Sequence, residues 1–215
     1  VKTVETTEGT ILGRTVVLAT GADAKSLGLP KEKELLGRGI SHCAACDGMF
    51  YKGKTVAIVG GGNTAAADAL QLSRICKKVI LIHRRDTLRA TKVYHQPLMA
   101  AENVEFIWNS AIEELLYDDR LSGLRVRNLH TGEERIVPCD GLFVSIGRSP
   151  ATELVRGILP LDEAGYVIAG ESTETAVPGV FAVGDVRSKE LRQIITAASD
   201  GAVAAHYAEK YLLEN

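Results

Sequence analysis

No run of the 215 residues is apolar for long enough to span a bilayer. The N-terminus lacks the charged-then-apolar pattern of a secretion signal, so a cytoplasmic protein is the expectation. An excess of one charge is missing too: 25 Lys and Arg stand against 27 Asp and Glu, which removes the overall field that would favour nucleic acid or an anionic membrane. Cysteine is sparse, and four in a chain of this size are too few for a secreted disulfide framework. Two of the four, Cys76 and Cys139, stand far apart with no histidine at ligand spacing, so the further ligands of a structural zinc are not evident. An initiator methionine is also absent. The chain opens at Val1 in an alternating, strand-like run to Thr6, and we expect a fragment of a longer protein.

The other two cysteines lie in Ser41-His42-Cys43-Ala44-Ala45-Cys46-Asp47-Gly48. Two small residues between them bring both sulfurs within one turn, where a disulfide closes readily. A Cys-x-x-Cys near a βαβ pattern reads as redox-active, with half of a zinc site as the rival reading. The sulfur nearer a helix N-terminus or a cation would be the better nucleophile. Asp47 follows at once, and its carboxylate can pass protons to and from the leaving thiolate.

A strand later, Thr55-Val56-Ala57-Ile58-Val59 runs directly into Gly60-Gly61-Gly62-Asn63-Thr64-Ala65, which opens an Ala- and Leu-rich helix to about Ile75. This is Gly-x-Gly-x-x-Ala between strand and helix, the context that makes it a dinucleotide-binding signature. Gly60 lets the strand turn tightly, Gly62 lets a pyrophosphate approach the backbone, and Ala65 permits close helix packing. Asn63 and Thr64 sit at the helix N-terminus, where negative charge is favoured. The next strand, Lys78 to Ile82, should end beside the adenosine ribose, where an NAD site places an acid. His83-Arg84-Arg85 stands there, with Arg89 four residues further. Guanidinium forks match phosphate oxygens, so the expected ligand carries a 2′-phosphate and is NADPH. A solvated basic turn shielded by Asp86 is the alternative.

Elsewhere the pattern predicts a strand over 1–6, a turn at Glu8-Gly9, and a second strand from Arg14 to Ala19 closing on Thr20-Gly21. A domain boundary is expected near Gly21 to Pro30. A short helix over 94–101 tolerates Pro97 in its first turn. Val104 to Ile107 returns to the sheet, and three antiparallel strands follow at 112–117, 124–128 and 134–137. The buried strand Gly141 to Gly147 is expected to mark the return to the first domain. Pro178 to Val183 forms one more strand, closed by Gly184-Asp185, whose carboxylate can accept hydrogen bonds from ribitol or ribose hydroxyls. Gln193 to Leu213 is a helix, with Ile194, Ala197, Ala198, Ala202, Ala205, Ala208 and Leu212 as its packing residues. Trp108, His130, Cys139 and His95 are read as structural.

The order of these four motifs, Cys43 to Gly48, Gly60 to Ala65, His83 to Asp86 with Arg89, and Gly179 to Asp185, resembles the low-molecular-weight bacterial-type thioredoxin reductases of the pyridine nucleotide disulfide oxidoreductase group. The likeness runs over nearly the whole chain. It implies an α/β protein with two Rossmann-like three-layer domains: an NADPH-binding domain over 25–140 carrying Cys43 and Cys46, inserted into a discontinuous FAD-binding domain over 1–24 and 141–215. It further implies that NADPH reduces FAD, that reduced flavin opens the Cys43–Cys46 disulfide, and that the dithiol reduces thioredoxin or a thioredoxin-like protein. By position, Cys46 faces the flavin, Cys43 attacks thioredoxin, and Asp47 handles protons. Thr20, Gly21, Gly184, Asp185, Arg192, Gln193 and Ile194 match the FAD-contacting pieces. That family rotates one domain against the other about two linkers, here near Ala24 to Pro30 and Cys139 to Gly141, and forms homodimers.

Two departures from the family are visible. Ala45 stands where Thr is more usual. The family's first βαβ unit, with its own Gly-x-Gly-x-x-Gly loop for FAD, would precede Val1, so the FAD domain is expected to be incomplete, to retain flavin weakly and to expose apolar edges. A flavoprotein subunit of alkyl hydroperoxide reductase, which prefers NADH, and an NADPH-binding fragment without turnover are the alternative readings.

Overall fold

The computed structural model describes residues 1–215. They divide between two units, one made of residues 1–23 and 148–215, the other of residues 24–147. The chain begins in the first unit with four short strands, β1 (Lys2–Thr6), β2 (Gly9–Gly13), β3 (Val16–Leu18) and β4 (Ala22–Ala24). β1 and β2 pair antiparallel, with Val4 opposite Ile11. The sequence pattern predicts no strand between Gly9 and Arg14. Thr10-Ile11-Leu12, β-prone residues bounded by glycines, form the second arm of a hairpin there.

The second unit runs β5 (Ile40–Ser41), α1 (Ala44–Asp47), β6 (Thr55–Val59), α2 (Asn63–Ser73), β7 (Lys78–Ile82), α3 (His95–Ala100), β8 (Val104–Ile107), β9 (Ser110–Tyr117), β10 (Leu121–Asn128), β11 (Glu134–Pro138) and β12 (Gly141–Val144). Five strands form one sheet in the order β5-β12-β6-β7-β8, each parallel to its neighbours. Successive side chains on a strand point to opposite faces, and both faces here are covered, so the runs are apolar throughout. Val56, Ile58, Val79, Leu81 and Phe143 join the core on the side of Ala65, Ala66, Ala69 and Leu72 of α2. Ala57, Val59, Ile80, Ile82, Leu142 and Val144 join the opposite core, with Ile112, Leu115, Leu124 and Val126 of the antiparallel β9-β10-β11 sheet. Each fully buried Val, Leu, Ile or Phe contributes about 1.5–3 kcal/mol, so these two cores hold the unit together.

The strand order carries a functional consequence. β6 connects through α2 to β7 on one side, while β12 lies on its other side, which makes the gap between the carboxyl ends of β6 and β12 a topological switch point. The order also corrects one expectation. Gly141–Val144 belongs to this sheet, pairing with Val56–Val59, so the chain returns to the first unit only after Gly147. The run is apolar because it is central in a parallel sheet, a pattern that cannot tell which sheet it joins.

Back in the first unit come β13 (Arg148–Pro150), which pairs with β4, then β14 (Val180–Ala182), parallel to β3, and α4 (Ile194–Glu214). The expected packing face of α4 is only partly right. Ala204 is buried, with Tyr207, Ala208 and Tyr211 against Phe181 and Val183, whereas Ile194, Ala198, Ala202 and Ala205 are exposed. The most buried polar group of α4 is Asp200, which accepts from the Gly184 N–H, from Arg187 through two bonds of 2.8 Å, and from Lys189 at 2.8 Å. Burial alone pushes the Asp200 carboxyl up, but hydrogen bonds from Arg187, Lys189 and Gly184 outweigh it and hold the group well below the ordinary 3.8.

Removing one partner of such a buried network leaves charge uncompensated, at a cost of about 3–5 kcal/mol. Asp200→Asn should therefore unfold the first unit at markedly lower urea than wild type. Because the folded-state pKa is depressed, the contribution is present above the ordinary 3.8 and fades as pH falls below it. The wild-type advantage in urea titrations should shrink between pH 5 and the acid limit; an advantage independent of pH would contradict this account.

Candidate active site

Cys43 follows β5 and caps α1, whose Ala44 is buried against α2. Cys43 and Cys46 are joined as a disulfide, with Cα atoms 5.3 Å apart. The pair is held from three directions. The Asp47 N–H donates to the Cys43 carbonyl at 3.1 Å, Gln71 of α2 donates to the Ala44 carbonyl at 3.4 Å, and the His42 ring lies 3.3 Å from the Val144 carbonyl of β12. Ala45 and Cys46 face solvent, while Cys43 is half-buried. One turn further, Met49 and Phe50 are 65 % and 75 % exposed, large apolar side chains beside a reactive bond.

Asp47 does not stand alone. Its carboxylate accepts from Ser41 Oγ at 2.7 Å, and the same hydroxyl accepts from the Cys43 N–H at 3.0 Å. Ser41 is buried, so this links the carboxylate to the backbone of the first cysteine through a group screened from water. Nothing in the sequence singled out Ser41, because a serine two residues before a cysteine has no signature of its own. Cys76 and Cys139 are buried singly, their thiols pushed up by burial to about 11 and about 12, which leaves them protonated and inert. No three His, Cys, Asp or Glu side chains stand close enough together to hold a metal.

The glycine loop follows β6 at the switch point. Gly60 has φ +150, and a side chain there would run into the Ser145 carbonyl beyond β12. Gly62 faces open space, with nothing within 4 Å of where a Cβ would stand. Gly61 lies directly on the ring of His83, which a methyl group at 61 would overlap. His83 is only 4 % exposed, meets Trp108 edge to face at 6.3 Å, and keeps its Nε2 buried without a partner. Burial first, then the charges of Arg89, Arg85 and Arg84, depress its pKa below 6.5, so the ring is neutral at physiological pH. Expected as a ligand-contacting residue, His83 is instead placed beneath the loop. The missed residue here is Gly61, the variable position of the motif, whose need arises only from a side chain 22 residues away.

The arginine segment is tied to the same loop. The Gly61 carbonyl accepts from the N–H groups of Arg89 at 2.7 Å and Ala90 at 3.0 Å, and Asn63 Oδ1 accepts from the Thr91 N–H at 2.8 Å. Asn63 thus spends its side chain on positioning. Arg84, Arg85 and Arg89 are exposed, and none is in an ion pair, Asp86 included. Three unpaired guanidinium groups are thus carried on a segment whose backbone is bonded to the glycine loop.

In the first unit, Thr20 donates to the Ala151 carbonyl at 2.6 Å, Gly21 and Gly184 adopt positive φ, and Asp185 is 3.6 Å from Arg148. Arg192 lies 3.9 Å over the Tyr166 ring with its Nε buried and unpartnered. Gln193 and Thr196 cap α4 reciprocally, and Ile194 is 91 % exposed.

Residues 1–201 match the pyridine nucleotide-disulphide oxidoreductase family. The chain is 46 % identical over 214 residues to a thioredoxin reductase of Streptomyces coelicolor, covering 99 % of this chain and 66 % of that protein. It is 42 % identical to one of Listeria monocytogenes, covering 99 % of this chain and 67 % of its relative. The chain therefore spans about two thirds of the length of these relatives. Its structure resembles that of a thioredoxin reductase from Streptococcus pyogenes (TM-score 0.91, 38 % identity, 98 % of this chain and 69 % of the other). It also resembles one from Giardia duodenalis (TM-score 0.89, 36 % identity, 97 % and 69 %).

The two loop positions separate stability from binding. Gly61→Ala should cost about 1–3 kcal/mol of stability in the second unit, because the His83 ring must move. Gly62→Ala, at φ −90 and in open space, should unfold within about 0.5 kcal/mol of wild type yet lose dinucleotide binding, because its methyl occupies the phosphate's approach. Chemical denaturation with a parallel NADPH titration checks both; a stable Gly61→Ala variant would refute the packing argument.

Proposed function

The chain belongs to the pyridine nucleotide-disulphide oxidoreductase family, and from that premise we propose that it works as an NADPH-dependent flavoprotein thioredoxin-disulfide reductase. One observation carries the reading: a Cys43–Cys46 disulfide with its Cys46 end exposed and a glycine loop flanked by three unpaired arginines stand on the carboxyl edge of a single parallel sheet. Residues 24–147 then hold NADPH, with Gly62 and Thr64 facing the pyrophosphate, while Gly60 makes the tight turn and the buried Ala65 packs the helix beneath it. Arg84, Arg85 and Arg89 engage the 2′-phosphate. Residues 1–23 and 148–215 contribute to FAD. The buried, unpartnered Arg192 Nε and the first turn of α4 suit an acceptor-rich ring edge, and the Asp185 carboxylate suits ribitol hydroxyls, so the residues present fit that group.

When bound, NADPH and FAD supply the two electrons that the disulfide takes up. The chain's own groups do the rest. Opening the S–S bond consumes two electrons and two protons, and Asp47, next in the chain to Cys46 and hydrogen-bonded by Ser41, is the carboxyl group that would hand over and recover a proton. Cys43, as the attacking thiolate, opens the disulfide of thioredoxin or a thioredoxin-like protein and forms a mixed disulfide. Cys46 displaces that bond, regenerates Cys43–Cys46 and releases the partner's dithiol. Met49 and Phe50 supply an exposed apolar surface at the point of contact.

Protein supplied with FAD, NADPH and oxidised thioredoxin should consume NADPH, and Cys43→Ser or Cys46→Ser should abolish that consumption. NADPH binding with neither flavin uptake nor turnover would instead mark a dinucleotide-binding chain alone. Replacing Arg84 and Arg85 together by Ala should weaken NADPH about 100-fold while changing NADH less than about threefold, since each charge-assisted contact contributes roughly tenfold. Equal losses for both nucleotides would remove the 2′-phosphate assignment.

A further inference from the structure

Ser41 ends β5, where it is buried and stands opposite Phe143 of β12. Its place is therefore set by the sheet and not by α1. Cys43, two residues on, is the N-cap of α1: its backbone is extended, at φ −146 and ψ 101, and its sulfur accepts from the Cys46 N–H at 3.1 Å. A cap residue has an N–H of its own to satisfy, and a Glu or Gln at the third helical position commonly reaches back to it. That position is Cys46, which has no side-chain oxygen to offer. Ser41 Oγ accepts the Cys43 N–H instead, at 3.0 Å. A hydroxyl has one proton to give. Two acceptors lie within its reach, Asp47 Oδ2 at 2.7 Å and the Cys43 carbonyl at 3.4 Å, and the nearer carboxylate takes it. Donating to a carboxylate makes the same oxygen a better acceptor, because hydrogen bonds in a chain polarise one another.

The consequence arises when the disulfide opens. In the disulfide, the covalent link to Cys46 itself keeps Cys43 over the first turn, and the Cys46 N–H meets a sulfur that is a weak acceptor. In the dithiol that link is gone, and a helix of four residues cannot persist alone. The Ser41 bridge does not depend on the S–S bond: it rests on the sheet, accepts the Cys43 N–H and donates to Asp47. With the Cys43 backbone kept where it stands, the Cys46 N–H still meets the Cys43 sulfur, and a bond to an ionised sulfur is far stronger than one to a neutral sulfur. We propose that Ser41 is a positioning residue of the redox pair, which holds Cys43 in the cap after the disulfide opens so that the Cys46 N–H stabilises the Cys43 thiolate and favours the dithiol.

This proposal rests on the redox reading of Cys43 and Cys46 above, and its test needs neither flavin nor nucleotide. The intact chain is equilibrated with reduced and oxidised dithiothreitol: one S–S bond breaks in the protein and one closes in the reagent, with two electrons and two protons passing between them. Ser41→Ala should lower the equilibrium constant for dithiol formation about tenfold, the loss of one hydrogen bond in a charged network. Ser41→Thr keeps the hydroxyl on a strand that suits a β-branched residue, and should stay within about twofold of wild type. The oxidised Ser41→Ala chain should keep a urea midpoint near that of wild type, since the disulfide holds the cap there. In the reduced chain, iodoacetamide should modify Cys43 several-fold more slowly in Ser41→Ala than in wild type, as read by peptide mass, because less of the sulfur is thiolate. Faster modification would mean that the serine only packs the segment, since a loosened cap exposes the sulfur, and would overturn the proposal. So would an unchanged equilibrium constant in Ser41→Ala, one lowered as much by Thr as by Ala, or an oxidised variant that unfolds at much lower urea. A wild-type pair that does not open reversibly in dithiothreitol removes the redox reading and the proposal together; one that opens reversibly while Ser41→Ala behaves as wild type removes the proposal alone.

Discussion

His83 lies flat beneath Gly61, and the space between them leaves no room for even one methyl group. With the backbone seated on the ring, the Gly61 carbonyl is in place to accept from both Arg89 and Ala90. Asn63 then catches Thr91 from the first turn of α2. The arginine segment and the glycine loop are in this way one structure, closed by backbone bonds rather than by the side chains that will meet a ligand. The guanidinium groups stay unpaired because the segment needs none of them to hold its shape. Burial and those same arginines depress the His83 pKa, which keeps the ring uncharged beneath the loop.

The same sheet positions the redox pair. β5 contributes only two residues, but its pairing with β12 carries the chain to Cys43 at the carboxyl edge, one strand beyond Ser145. α1 has four residues and could not persist alone. It is fastened by the buried Ala44, by Gln71 and by the Ser41–Asp47 pair, so the cysteines rest on α2 and the sheet rather than on their own short helix. Met49 and Phe50 remain outside this packing, exposed apolar side chains one turn beyond the disulfide.

The first unit follows a different logic. Its strands are short and its cores small, and the contact joining the Gly184-Asp185 turn to α4 is ionic. Asp200 gathers Arg187, Lys189 and the Gly184 N–H at one point. A network of this kind fixes geometry more than it adds stability, because desolvation consumes much of the attraction. What it fixes is the turn carrying Asp185 relative to the helix whose first turn follows Arg192 and Gln193.

Strands β6, β7, β8 and β12, helix α2 and the antiparallel β9 to β11 were legible in the sequence, because parallel strands buried on both faces must be apolar throughout and hairpin strands must alternate. So were the Cys43–Cys46 pair and the glycine turn between β6 and α2, whose signals are local to a few consecutive residues. What could not be read depends on contacts distant in the chain. Ser41 matters through a carboxylate six residues on, and Gly61 through His83, 22 residues away. The unit to which Gly141–Val144 belongs was equally hidden, since a central strand looks the same in any parallel sheet and only its pairing with Val56–Val59 decides. The sequence by itself determined which groups could react and what charge they would attract. The tertiary structure decided which of them stand at one edge, because only pairing and packing bring residues from β5, β6, β7 and β12 to the same end of a sheet.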